Sequence, residues 1–174
     1  MENVGIWAVV ALVGYLLGSI SVAYFLVKHF TRKNILEWGT GNVGTLNVYR
    51  ATNSKLLTVM TLVGDMLKAV VAITAGVYLA RGAGLDQDVG AAVGGIFAIV
   101  GHNYPVFLRF RGGKGIASSV PMGIYFAPEL VGLFCLAFLL TAALTRLLVV
   151  GQIVATAVVP IIAYFLFPEA AIPS

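Results

Sequence analysis

The chain has 174 residues, 60% of them hydrophobic and only 10% charged, with a mean hydropathy of +0.98. Soluble domains carry about 25% charged residues, so this composition excludes an ordinary soluble fold and indicates a membrane protein built as a helix bundle. The formal net charge of +4 raises nucleic acid as a partner, but in so apolar a chain the cytoplasmic excess of Lys and Arg explains it more simply, and no nucleic-acid partner is expected. Cys135, the single cysteine, lies in an apolar run and has no internal disulfide partner.

Taken in order, a first span is predicted over residues 6–28. No basic residue precedes it, so it is expected to be retained rather than cleaved as a signal peptide. Gly14 and Gly18 give it a small-residue face for close helix contact, and Ser19 and Ser21 add hydroxyls near its inner end. A polar loop from Lys28 to Lys55 follows, then a second span over 56–80 holding Asp65 and Lys68 as an i, i+3 pair. That pair reads first as a structural ion pair. A third span over about 89–100 is short and lined with Gly90, Gly94 and Gly95, and is expected either to continue into the His102 region or to tilt little.

Residues 116–127 number only about twelve, below the length of about 20 that a full crossing needs. Residues 130–145 and 147–167 complete about six spans, with Pro160 expected to kink the last. Threaded this way, Lys28, Arg32, Lys33, Arg50, Lys55, Arg109, Arg111, Lys114 and Arg146 fall on the cytoplasmic side and only Arg81 outside. Both termini are then outside. The expected architecture is all-α, a polytopic membrane helix bundle forming one domain over residues 1–174.

Two glycine-rich stretches share the cytoplasmic side. One is Gly39-Thr-Gly-Asn-Val-Gly-Thr-Leu-Asn-Val-Tyr-Arg50. Its Gly-x-Gly-x-x-Gly spacing matches a dinucleotide fingerprint, but no βαβ unit surrounds it, so that reading is rejected. Glycines before a helix start still offer N–H groups to an anion, and Thr40, Asn42, Thr45, Asn47 and Arg50 add donors. The other stretch is Gly101-His-Asn-Tyr-Pro-Val-Phe-Leu-Arg-Phe-Arg-Gly-Gly-Lys-Gly115, where Gly112, Gly113 and Gly115 flank Lys114. A basic loop that only fixes membrane orientation is the plainer alternative.

Lys114 is followed by Gly rather than Ser or Thr, so there is no Walker A motif, and there is no nucleophile elbow. Metal ligands are sparse in these loops, with His29, His102 and Glu37 the candidates, so no metal is expected. What remains is positional and electrostatic catalysis on phosphate esters, with His102 as a base or a structural donor.

The second stretch, continued through Ile116 and Ala117, closely resembles a signature of the bacterial integral-membrane glycerol-3-phosphate acyltransferases that use acyl phosphate. The Gly39 to Arg50 stretch is similar to their second signature and Gly18-Ser-Ile-Ser-Val-Ala-Tyr24 to their first, while Asp65-Met-Leu-Lys68 resembles a shared Asp-x-x-Lys element. The resemblance implies acyl transfer from acyl phosphate to the 1-hydroxyl of glycerol 3-phosphate, giving lysophosphatidate and phosphate. It implies catalytic roles for His102, Lys114 and Arg50, and substrate binding by Ser19, Thr40, Gly41, Asn42, Gly44, Asn47, Gly112 and Gly113.

It also implies a bacterial plasma-membrane location, an active site facing the cytoplasm, and an acyl chain held between helices and open to lipid. No metal, coenzyme A or acyl carrier protein would be needed, and a substrate phosphate would itself be able to take the proton. The chain departs from the family pattern at Thr40, at Gly44-Thr-Leu-Asn47 and at Ser21, where proline is usual. The family normally has seven spans and a closing segment with histidine, asparagine and arginine. This chain stops at Ser174 without them, so a divergent or truncated member is expected. A non-catalytic relative binding phosphorylated lipid precursors is the alternative, with an anion transporter behind it.

Overall fold

The structure is a computed structural model that describes residues 2–166. It contains α1 (Glu2–Ser19), α2 (Val22–Thr31), α3 (Thr45–Thr52), α4 (Lys55–Gly82), α5 (Gln87–Asn103), α6 (Ile116–Phe126), α7 (Pro128–Thr145) and α8 (Leu148–Leu166). Short 3-10 turns cover Ile35–Glu37 and Val106–Leu108, and no strand occurs among the described residues. Five segments are long and apolar enough to cross a membrane: Asn3–Thr31, Lys55–Gly82, Gln87–Leu108, Pro128–Thr145 and Leu148–Phe165. The sixth expected span is the short α6, whose 11 residues extend about 17 Å at about 1.5 Å per residue, little more than half a bilayer core of about 30 Å. Pro160 lies inside α8 without interrupting it. The predicted tail after residue 167, with Pro168 and Glu169, falls outside the described residues.

The chain forms two compact units that divide after Met122. In the second, α7 and α8 pack as a hairpin, with Gly151 letting α8 approach the backbone of α7 at Phe138. In the first, α1, α4 and α5 pack on one another. Their crossings are lined by residues too small to keep the backbones apart. A Cβ on Gly14 would land on the carbonyl of Gly94, one on Gly18 on the carbonyl of Ala98, and one on Gly76 on the carbonyl of Gly90. Lipid tails are as apolar as leucine, so these helices gain from close van der Waals contact rather than from hiding apolar surface from water.

One expectation needs revision. The first span is not one continuous helix, because α1 ends at Ser19 and α2 begins at Val22. Ser21 caps α2 by accepting the N–H of Tyr24 at 3.3 Å. The short third span continues into the His102 region, so α5 carries His102 on its last turn. The polar loop between the first two long spans is also partly helical. Ile35, Val43 and Val48 bury with Ala23, Val27 and Leu57 into a small apolar cluster beneath it.

Gly18→Leu forces a branched side chain onto the Ala98 backbone and is expected to cost at least about 2 kcal/mol, since overpacking at a rigid contact strains both helices. Gly5→Leu, which meets nothing within 4 Å, serves as the control. Thermal unfolding in detergent should show a lower Tm for the first variant alone.

Candidate active site

The break between α1 and α2 frees a backbone carbonyl that the helix no longer satisfies. In the apolar interior such a group needs a donor. Lys68 on α4 supplies it, its Nζ donating to the Ile20 carbonyl at 2.8 Å. The same ammonium lies 3.1 Å from Oδ1 of Asp65, and Asp65 and Lys68 are 2% and 8% exposed. Removing one partner of a buried ion pair typically costs about 3–5 kcal/mol, so the two charges hold each other in place. His102 on α5 brings Nδ1 to 3.5 Å from that same Oδ1, and Nδ1 makes no hydrogen bond among the described residues. Ser118 of α6 donates its hydroxyl to the Asp65 carbonyl at 3.3 Å.

On its other side the His102 ring meets the glycine-rich turn. Gly113 donates its N–H to the His102 carbonyl at 3.0 Å, and a Cβ at Gly113 would fall on Nε2 of the ring. Gly112 lies equally close to the His102 and Asn103 carbonyls. The turn approaches the end of α5 so closely that only glycine fits at these two positions. Lys114 beside them is exposed.

The first glycine-rich loop is organised by Asn47, which is 1% exposed. Its Nδ2 donates to the carbonyls of Trp38 at 3.0 Å and Asn42 at 2.8 Å, with Ile35 further off at 3.4 Å, and its Oδ1 accepts the Thr40 N–H at 3.0 Å. Asn42 accepts the Gly44 N–H, and the Gly41 N–H goes to the Trp38 carbonyl. The amides of Thr40, Gly41 and Gly44 are therefore spent inside the loop. The glycines let the backbone turn, with φ +69 at Gly41, rather than leaving bare amides at those positions. The first N–H groups of α3, at Thr45 and Leu46, have no partner among the described residues, and Gly44 provides no side-chain cap. Arg50 and the Thr40 side chain are exposed.

Arg111 joins the two loops. Its Nη2 donates to the Leu36 carbonyl at 3.1 Å and sits against Gly41. The sequence marked Arg111 as one of several cytoplasmic cations and gave no sign of this bridge. Ser19 is fully buried and donates its hydroxyl to the Tyr15 carbonyl at 2.8 Å, against Gly101. Contacts therefore run from Ile20 through Lys68, Asp65 and His102 to Gly113, and Arg111, two residues before Gly113 in the chain, reaches Leu36 and Gly41. Lys33 supports the rim, lying 4.0 Å from the Trp38 ring centroid and donating to the Ala51 carbonyl at 3.4 Å. No group of three or more His, Cys, Asp or Glu suited to a metal ion occurs among the described residues.

The family profile "Glycerol-3-phosphate acyltransferase" matches residues 8–173. The chain belongs to the glycerol-3-phosphate acyltransferase family. It is 42% identical to the glycerol-3-phosphate acyltransferase of Roseobacter denitrificans over 99% of this chain and 82% of that protein. It is 38% identical to that of Clostridioides difficile, over 89% and 76% of the two chains. Among solved structures it resembles the crystal structure of PlsY (YgiH), an integral membrane glycerol 3-phosphate acyltransferase in its glycerol 3-phosphate form. That match has a TM-score of 0.76 and 27% identity, and covers 92% of this chain and 78% of PlsY. The family is thus one of membrane acyltransferases, and the chain is a multi-pass membrane protein of that kind.

Asn47→Ala removes the donor to the Asn42 carbonyl and the acceptor of the Thr40 N–H. Each polar group left unpaired away from water costs about 1–3 kcal/mol, so the loop is expected to open. Limited proteolysis should then cut near Trp38 to Asn42 many times faster than in the parent protein, with the long helices still protected.

Proposed function

We propose that this protein transfers a fatty acyl group from acyl phosphate to the 1-hydroxyl of glycerol 3-phosphate, at a site formed by the two glycine-rich loops. The observation that supports the reading is the joining of those loops by Arg111, which donates to the Leu36 carbonyl and sits against Gly41, while Lys114 on its own loop follows Gly113, which lies against the buried His102. Both substrates bear phosphate, and fixed cations with helix N-terminal N–H groups are what hold phosphate.

In this reading Arg50, Lys114 and the start of α3 hold the anionic groups. Asn47, Asn42 and the glycines shape the loop around them. The hydroxyl oxygen of glycerol 3-phosphate forms the new bond to the acyl carbon, the bond from that carbon to the bridging phosphate oxygen breaks, and phosphate departs. The hydroxyl proton leaves by way of His102 or goes directly to the departing phosphate, so no external reagent is required. Fixed positive charge near the bridging oxygen stabilises the developing phosphate. The acyl chain enters from the bilayer, and the site faces the cytoplasm of a bacterial plasma membrane, the side to which the basic residues of the two loops assign it.

The purified protein, given acyl phosphate and radiolabelled glycerol 3-phosphate, should yield lipid-soluble label. Arg50→Ala and Lys114→Ala should each reduce kcat/KM by about 10²-fold or more. Absence of product with folded protein, or unchanged rates in both variants, would defeat the assignment.

A further inference from the structure

We infer that Arg111 is a positioning residue for the reaction: its guanidinium, pinned to the Leu36 carbonyl, sets the two glycine-rich loops in register and with them the two bound substrates. The inference rests on the function proposed above and names what aligns that site.

Each loop is fixed from within, but to a different part of the fold. The first is shaped by Asn42 and Asn47 and stands on the apolar cluster that Val43 and Val48 form with Ala23, Val27 and Leu57. The second is fastened to the end of α5, where Gly113 donates to the His102 carbonyl at 3.0 Å and Gly112 lies against the carbonyls of His102 and Asn103. Leu108 of the second loop packs against the same apolar cluster as Leu36 of the first. Apolar contact of that kind holds the loops together but is non-directional, so it leaves their register open. Arg111 supplies the directional contact, from Nη2 to the Leu36 carbonyl at 3.1 Å.

The backbone just ahead of Arg111 is strained. Arg109 and Phe110 have φ of 52 and 63, in the left-handed region that residues bearing a Cβ rarely adopt. The Phe110 N–H donates to the Pro105 carbonyl at 2.9 Å and the Arg111 N–H to the Leu108 carbonyl at 3.1 Å, and these bonds hold the pair in place. Such strain persists only where the surroundings over-determine it, and it collects at functional sites. Here it brings the chain to Arg111 between the Leu108 contact and the Gly112–Gly113 contacts, so the base of the side chain is held on both sides. At the far end, a Cβ on Gly41 would lie 3.5 Å from Nη2.

The proposed reaction makes register matter. A hydroxyl oxygen of one bound molecule attacks the acyl carbon of another, and both loops contribute to holding the anionic groups. A misplacement of about 1 Å can cost about 10²-fold in rate. Each loop keeps its own ligands when the bridge is lost, so the bridge acts on turnover more than on affinity.

Arg111→Met keeps the apolar stem and removes all the N–H donors. Arg111 is exposed, so the variant should unfold cooperatively near the parent Tm. Its kcat should fall at least about tenfold, while KM for glycerol 3-phosphate and for acyl phosphate each move less than about threefold. Arg111→Lys, which retains a donor, should recover part of kcat. Cys135 is the single cysteine, so spin labels at Glu37→Cys and Phe107→Cys in Cys135→Ala protein report the loops alone. Their distance distribution should be narrow in the parent and broader with Arg111→Met.

An unchanged distribution in folded Arg111→Met overturns the positioning, as does a broadened one with parental kcat. A KM raised tenfold at unchanged kcat makes Arg111 a direct phosphate ligand, which also overturns it. A parent protein that transfers no acyl group defeats the proposed function instead, a separate failure, and the label distances still decide whether Arg111 fixes the loops.

Discussion

A backbone carbonyl set free in an apolar interior must find a donor, and that requirement ties this fold together. The interruption after Ser19 would be unfavourable without the Lys68 ammonium, and the ammonium would be unfavourable without Asp65. Each element removes the cost of the next. The chain of dependence runs from a helix break in α1, through α4, to the histidine on α5. Small residues at the crossings of these three helices make the distances short enough for it to close.

The polar loops obey the same rule at a different depth. A segment carrying many glycines has no side-chain bulk to hold its shape, so its shape comes from hydrogen bonds. Asn47 and Asn42 provide these from within, and the buried cluster around Val43 and Val48 fixes the underside. Arg111 then makes a second loop part of the same surface. The exposed cations are left on a surface whose geometry is already set.

Much of this was legible in the sequence. The long spans are continuous apolar runs, and length alone separated the short α6 from them. Gly14 and Gly18 announced a close crossing, and Asp65 with Lys68 announced a pair through their helical spacing. The break at residues 20–21 was hidden because hydropathy continues across it, and only a partner from another helix makes it favourable. The contact of His102 with Asp65 joins two helices, which no local pattern encodes. Asn47 was visible as a polar residue in a glycine-rich stretch, but the sequence could not say that its amide turns inward. Residue type shows what a side chain offers; the fold decides who receives it.

The internal use of the Thr40, Gly41 and Gly44 amides carries a consequence for how such a protein changes over generations. The residues that hold the shape differ from those at the surface: Asn42 and Asn47 keep the loop, whereas Thr40 and Arg50 are exposed. Replacements at the outward positions can therefore change the loop's surface without rebuilding the scaffold. Drift should accumulate at the surface of the loop while its amide-bearing interior stays fixed.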